Sequence, residues 1–208
     1  MSPRLALPIA AVAAALAALV VLGACVVLLA FSVIASGAGT AQPPVPPGRA
    51  PAAPQALGPA APPGLTVPAP GGPPSAFARA DIPPTYLALY RAAGARFGLS
   101  WTILAGIGRV ECDHGRDPAP SCTVHGQFNS AGAGGPAQFL LSTWQRYGIS
   151  ATGAGAPDMW NPADAIFSMA NYLRACGAPG NYPQAIYGYN HAWWYVADVL
   201  SWARRYRG

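Results

Sequence analysis

Lysine is absent from this 208-residue chain, and glutamate occurs once, at position 111. Charge of either sign is scarce: 9% of residues are charged, against roughly 25% in an ordinary soluble domain. All twelve basic residues are arginine, and only Arg204, Arg205 and Arg207 lie close together. No basic stripe interleaved with aromatics results, so nucleic acid is not an expected partner. A C-x-x-C pair and a His/Cys group at zinc spacing are both missing, and neither a metal site nor a cofactor is expected. Sustained apolar–polar alternation is absent, as are Asn-Gly and Asp-Gly dipeptides, which argues against a sheet-based fold.

What is present divides into three unlike segments. Residues 5–35 carry no charge, 31 in a row where about 20 span a bilayer. Arg4 and the amino terminus precede the run, which predicts residues 1–35 as a short inner N-terminus and a single-pass signal-anchor, with all that follows outside. The alternative is a cleaved leader with Val33-Ile34-Ala35 as the cleavage site and a secreted product. Leu22-Gly23-Ala24-Cys25 resembles a lipidation site, but the apolar run continues past the cysteine, which argues against lipidation. Residues 36–75 hold 13 of the 24 prolines and one charge, Arg49. Such a stretch cannot bury a core and reads as a disordered Pro/Ala/Gly linker. Residues 76–208 hold 17 of the 19 charges and are the foldable part, sufficient for one core.

That part reads as all-α. Pro83-Pro84 open a helix to about Phe97, stopped by Gly98, and Ser100 caps a second from Trp101 to about Glu111. Gly134-Gly135-Pro136 predicts a helix over 137–147 closed by Gly148. Asn161-Pro162-Ala163-Asp164 is cap, first-position proline and first-turn acid of a helix to about Arg174. Two more follow, Pro183 to about Asn190 and Trp193 to about Arg205, giving a bundle of about six short helices. The helical spacing of Trp193, Trp194 and Trp202 predicts core packing. Cys112 and Cys122, ten residues apart, form one candidate disulfide, with Cys176 as the odd cysteine or as the partner of either.

Glu111 has a context that matters chemically. Leu104, Ile107 and Glu111 are spaced i, i+3, i+7, so the carboxyl continues an apolar stripe. It also sits in a last helical turn, where the helix dipole disfavours negative charge. Both effects raise its pKa toward what a general acid requires at neutral pH. The stretch from Ser130 to Phe139 is rich in small residues that let backbone approach a ligand, and it brings in the amide of Gln138. Tyr189, Asn190 and His191 place a phenol, an amide and an imidazole together. Amides, hydroxyls and aromatic faces around one acid suit a hydroxyl-rich polymer such as a glycan. The candidate contacts are therefore Ser130, Gln138, Phe139, Tyr189, Asn190 and His191 around Glu111, with His114 and His125 read as surface loop residues.

The order of Glu111 at a helix end, Gly135-Pro-Ala-Gln-Phe-Leu-Leu-Ser-Thr-Trp144, Asn161-Pro-x-Asp-Ala165 and Tyr189-Asn-His191 resembles the lytic murein transglycosylase domain. This is the goose-lysozyme-like type, in its actinobacterial membrane-anchored form, and the likeness covers about residues 80–208. Three positions depart from the family pattern: Cys112 stands where Ser is usual, Ala137 where Met is usual, and Leu141 where Pro is usual. The resemblance implies a lysozyme-like fold and peptidoglycan glycan strands as substrate, with envelope or division proteins as further possible partners. It further implies non-hydrolytic cleavage, with Glu111 as acid then base and Tyr189, Gln138 and Asn190 orienting the sugar. Two other readings stay open on the same residues. One is a lysozyme-type hydrolase, in which Asp113 or Asp117 assists as the second carboxyl. The other is a non-catalytic peptidoglycan-binding module.

Overall fold

The computed structural model describes residues 59–68 and 71–208. The uncharged run at 5–35 and most of the Pro-rich stretch lie outside the described residues. Among the described residues no helix is long and apolar enough to cross a membrane. They form α1 (Ala76–Asp81), α2 (Pro84–Phe97), α3 (Trp101–Cys112), α4 (Pro120–Thr123), α5 (Leu141–Tyr147), α6 (Pro162–Ala175), α7 (Tyr182–Tyr189) and α8 (Trp193–Tyr206). A 3₁₀ turn, Asp113–Gly115, follows α3, and a short antiparallel hairpin pairs β1 (Ala133–Gly134) with β2 (Phe139–Leu140).

Residues Trp101–Gly108 of α3 are all buried, and the helix is accordingly the centre of the domain. Ile103, Leu104 and Ile107 are fully buried, each contributing about 1.5–3 kcal/mol of apolar transfer free energy. It packs chiefly on α8, while α2 lies against both α3 and α6. Close approach of α3 and α8 requires Gly106, because a Cβ there would sit 2.5 Å from the Val199 carbonyl oxygen. The face of α8 that meets α3 carries Val196, Val199, Leu200 and Ala203, all fully buried.

Helix boundaries follow local chemistry. Gly98 ends α2 in the left-handed region at φ 64°, a conformation glycine adopts without steric cost. The Asn161 side chain accepts from Ala163 N and Asp164 N at the start of α6, with Pro162 in the first turn. Asn181 caps α7 in the same way, through Gln184 N.

Four expectations are corrected. Among the described residues the α-helices number eight, because α1 and α4 are too short to show a periodic pattern. The segment expected to be helical from 137 is helical only from Leu141; residues 133–140 turn back as the hairpin instead. Ser100 precedes α3 but does not cap it: its hydroxyl bonds Thr102 Oγ1 at 2.8 Å, and its N–H donates to the Tyr182 hydroxyl. The end of the Pro-rich stretch is held against the domain: Gly72 O accepts from Trp101 Nε1, and Ser75 bonds the backbone of Arg205 and Tyr206. Pro74 pairs with Arg207, and Gly208 N donates to Pro73 O, so this strap closes over the end of α8.

Candidate active site

Glu111 lies one residue from the end of α3 and opens into a cleft of about 420 Å³. One wall comes from the hairpin region, with Asn129, Ala131, Ala133, Gln138 and Leu140. The facing wall comes from the end of α7 and the residues after it, Tyr189, Asn190 and His191. Small side chains at Ala131 and Ala133 keep the first wall low, so backbone and amides border the space.

The carboxyl of Glu111 does not swing into solvent. Tyr195, 1% exposed on α8, donates a short hydrogen bond to its Oε1. Burial raises the pKa of Glu111 to about 7 despite the opposing pull of that bond. Near neutrality roughly half of the molecules therefore carry the proton that a general acid donates. Burial also pushes the Tyr189 phenol well above its ordinary value, with the negative charge of Glu111 adding to the effect. The Tyr189 hydroxyl donates to Ala137 O at 2.6 Å, which ties the facing wall to the hairpin turn.

Gln138 stands in that turn at φ 47°, not in the first turn of a helix. Its amide is used on the framework: Nε2 donates to Gly135 O at 2.9 Å and Ser121 O at 3.2 Å, and Oε1 accepts from Asn129 Nδ2 at 3.0 Å. Asn129 Oδ1 in turn accepts from Ala131 N and Ala133 N. Phe139 is buried, packing against Trp144, Tyr172 and Tyr189 behind the wall. Ser130 is exposed and lies outside the lining of the cleft.

Among the described residues Glu111 is the one acid that lines this cleft. Asp113 is engaged by Arg109 and Arg116, and Asp117 accepts from Ala119 N at 2.8 Å. Asp164 is buried and does more than sit in a first turn: it accepts from Ala151 N and Asp158 N, pinning the loop before α6. No group of three metal-ligating side chains occurs among the described residues.

Two sequence readings fail nearby. His114 is not a surface residue; its side chain is fully buried, with Nδ1 facing the Tyr90 hydroxyl at 3.1 Å and Nε2 facing the Tyr206 hydroxyl at 3.0 Å. The Tyr206 hydroxyl donates on to Asp81, and burial lowers the histidine pKa to about 4 despite that carboxylate. Trp194 is not a core residue but is 68% exposed, whereas Trp193 stacks on Tyr187 and Trp202 on Phe77 and Tyr206. His125 is exposed as expected, against Trp160. Sequence reasoning missed Tyr195 and Asn129, while Ala131 and Ala133 fall in the small-residue stretch expected to border a ligand. Only Tyr195 had a signal, as the position of α8 that falls on its buried face.

Fold and site together define a helical domain in which, among the described residues, a single acid lines a cleft bordered by amides, a phenol and small apolar side chains. Residues 124–184 match the family model of the transglycosylase SLT domain. A stretch of 47 residues is 45% identical to membrane-bound lytic murein transglycosylase B of Escherichia coli (strain K12), covering 23% of this chain and 13% of that protein. The Escherichia coli lytic transglycosylase Slt35, solved with bulgecin A and again with calcium, aligns at 18% identity with a TM-score of 0.46, over 62% of this chain and 76% of the solved one. Residues 124–184 thus carry the sequence pattern of a transglycosylase SLT domain, within a chain that spans 13% of the length of the curated relative it matches.

Proposed function

We propose that this chain is a membrane-anchored lytic transglycosylase that cleaves the β-1,4 bond between N-acetylmuramic acid and N-acetylglucosamine in peptidoglycan. The observation that carries the reading is the protonatable, part-buried Glu111 held by Tyr195 as the sole acid among the described residues that lines the cleft. Protonated Glu111 gives its proton to the glycosidic oxygen as that bond to C1 breaks. The substrate's own N-acetyl oxygen stabilises the cation at C1. The Glu111 carboxylate then takes the proton of the C6 hydroxyl, whose oxygen bonds to C1 and closes a 1,6-anhydro ring. The enzyme ends in its starting protonation state, and no water is consumed.

Two-carboxylate hydrolysis places its groups about 5–5.5 or 6.5–9.5 Å apart across the bond. Asp113 and Asp117 are held by other partners, which disfavours that route. Tyr189, Asn190 and His191 contact the sugar on one side, while Gln138 fixes the opposite wall, with Phe139 behind it and Ser130 at its edge. Anchoring through residues 5–35 puts the domain on the wall side of the cell membrane.

The test is mass spectrometry of soluble products from purified murein, comparing the full chain with Glu111→Gln. Muropeptides one water lighter than hydrolysis products, absent with the variant, are the expected result. Reducing ends would overturn the transglycosylase reading in favour of a hydrolase. Tight murein binding without products would leave a binding module.

A further inference from the structure

The residue immediately after Glu111 is Cys112, and it is disulfide-bonded to Cys122. Cys122 belongs to α4, and its neighbour Ser121 carries much of the hairpin wall. The Ser121 carbonyl accepts from Gly135 N at 2.8 Å and from Gln138 Nε2 at 3.2 Å, and its hydroxyl faces Gln138 Oε1. Gln138 Nε2 also reaches the Cys122 sulfur at 3.7 Å. From Gln138 the connection runs through Asn129 to Ala131 and Ala133, and the carbonyl of Ala137 next to it receives the Tyr189 hydroxyl.

We infer that the Cys112–Cys122 disulfide positions the cleft, covalently fixing the hairpin wall at its working distance from the acid. The inference deepens the glycan-cleaving reading and rests on it. Both cysteines are buried, so the bond lies inside the site's framework and is not an exposed surface clip. A clip that only restricted the unfolded chain would have no bearing on where the wall stands. Here the cross-link joins the turn bearing the acid to the segment on which both Gly135 and Gln138 hang. Without it, the wall is tied to α3 only through the intervening loop and by non-covalent contacts, and water reaches the carboxyl more freely.

The same arrangement makes the oxidised chain the active form. Reduction takes two electrons and two protons from a thiol reductant and leaves two thiols, freeing α4 from the end of α3. A misplacement of a wall by about 1 Å is enough to cost roughly 100-fold in turnover.

The experiment compares the oxidised full chain with Cys112→Ser/Cys122→Ser and with the wild type treated with a dithiol at a temperature where its helical circular dichroism is unchanged. Murein turnover should fall roughly 100-fold in kcat in both disulfide-free forms, with KM changing far less. Independently of turnover, the protonated-carboxyl infrared band assigned by its loss in Glu111→Gln should titrate at least about one pH unit lower in them, since a wetter carboxyl is less strongly perturbed. A folded, disulfide-free chain with unchanged kcat and unchanged titration overturns the inference and leaves the bond as a staple. Should the double variant unfold, the reduced wild type decides. Absence of products from the oxidised wild type would strike the glycan-cleaving reading, while the infrared titration would still decide for or against the positioning role.

Discussion

Replacing Glu111 by glutamine should stabilise the fold, and the gain should depend on pH. The ordinary glutamate value is 4.5 and the folded-state value about 7, so the native protein holds this proton more tightly than the unfolded chain does. The corresponding stability is fully present below about 4.5 and is lost as pH rises through about 7. Two and a half units at about 1.36 kcal/mol each gives an upper figure near 3 kcal/mol, and partial solvent contact of the side chain lowers it to about 2. Glu111→Gln retains an acceptor oxygen for the Tyr195 hydroxyl but never has to lose a proton. Thermal unfolding of both chains at pH 4.5 and 8.5 measures the effect. The melting temperatures should nearly coincide at pH 4.5 and differ by about 6–10 °C in favour of the variant at pH 8.5, using about 3–5 °C per kcal/mol for a domain of this size. Any contribution of His114 is common to both chains and cancels. An equal difference at both pH values, or a variant less stable at pH 8.5, would refute the claim that Glu111 is held in an environment that resists ionisation.

Because one carboxyl acts as the acid, kcat/KM should show a single descending limb with its midpoint near 7; a bell with a second, acidic limb from a carboxylate would bring back a two-acid mechanism. His114 has its folded-state value lowered to about 4 from 6.5, so the stability it carries is present above about 6.5 and lost as pH falls through about 4, on the order of 3 kcal/mol; urea unfolding at pH 7 and pH 4 checks this. His114→Phe should flatten that acid dependence while costing about 1–3 kcal/mol at pH 7, because the Tyr90 and Tyr206 hydroxyls lose their partner. Asn161→Ala should cost about 1 kcal/mol through the lost cap of α6 and leave murein turnover unchanged, as measured by urea midpoint and product release.

The parts of the fold legible in the sequence are those set by neighbours along the chain. Gly98 after Phe97, and Asn161 before Pro162, mark helix ends by their own backbone preferences, and α2, α3, α6, α7 and α8 start or stop within a residue or two of where those preferences put them. Glu111 was legible because its position on the apolar stripe of α3 is a matter of helical period. The hairpin was not: Gly-Gly-Pro reads equally as a helix start, and only the left-handed turn at Gln138, stabilised by Ser121 and Asn129, sends the chain back. His114 was misread because a polar residue in a polar loop looks solvated, whereas its burial is produced by Tyr90 and Tyr206, 24 and 92 positions away. Tyr195 was missed for the same reason: its bond to Glu111 joins residues 84 apart. Trp194 followed the helical spacing of its neighbours, yet in the first turn of α8 it falls on the exposed face among the described residues.

The strap over the end of α8 determines how a mechanical load would enter the domain. Tension arriving along the chain that precedes Gly72 meets Arg204 of α8 through the Thr66 carbonyl, then the Trp101 indole at the start of α3 and, through Ser75, the backbone of the last turn of α8. These points belong to the two helices that pack most extensively on each other, so the force is borne at that pairing. The hairpin wall, by contrast, receives none of these strap bonds. Load would therefore reach the cleft through the acid's own helix and its Tyr195 partner on α8, and not through the opposing amides.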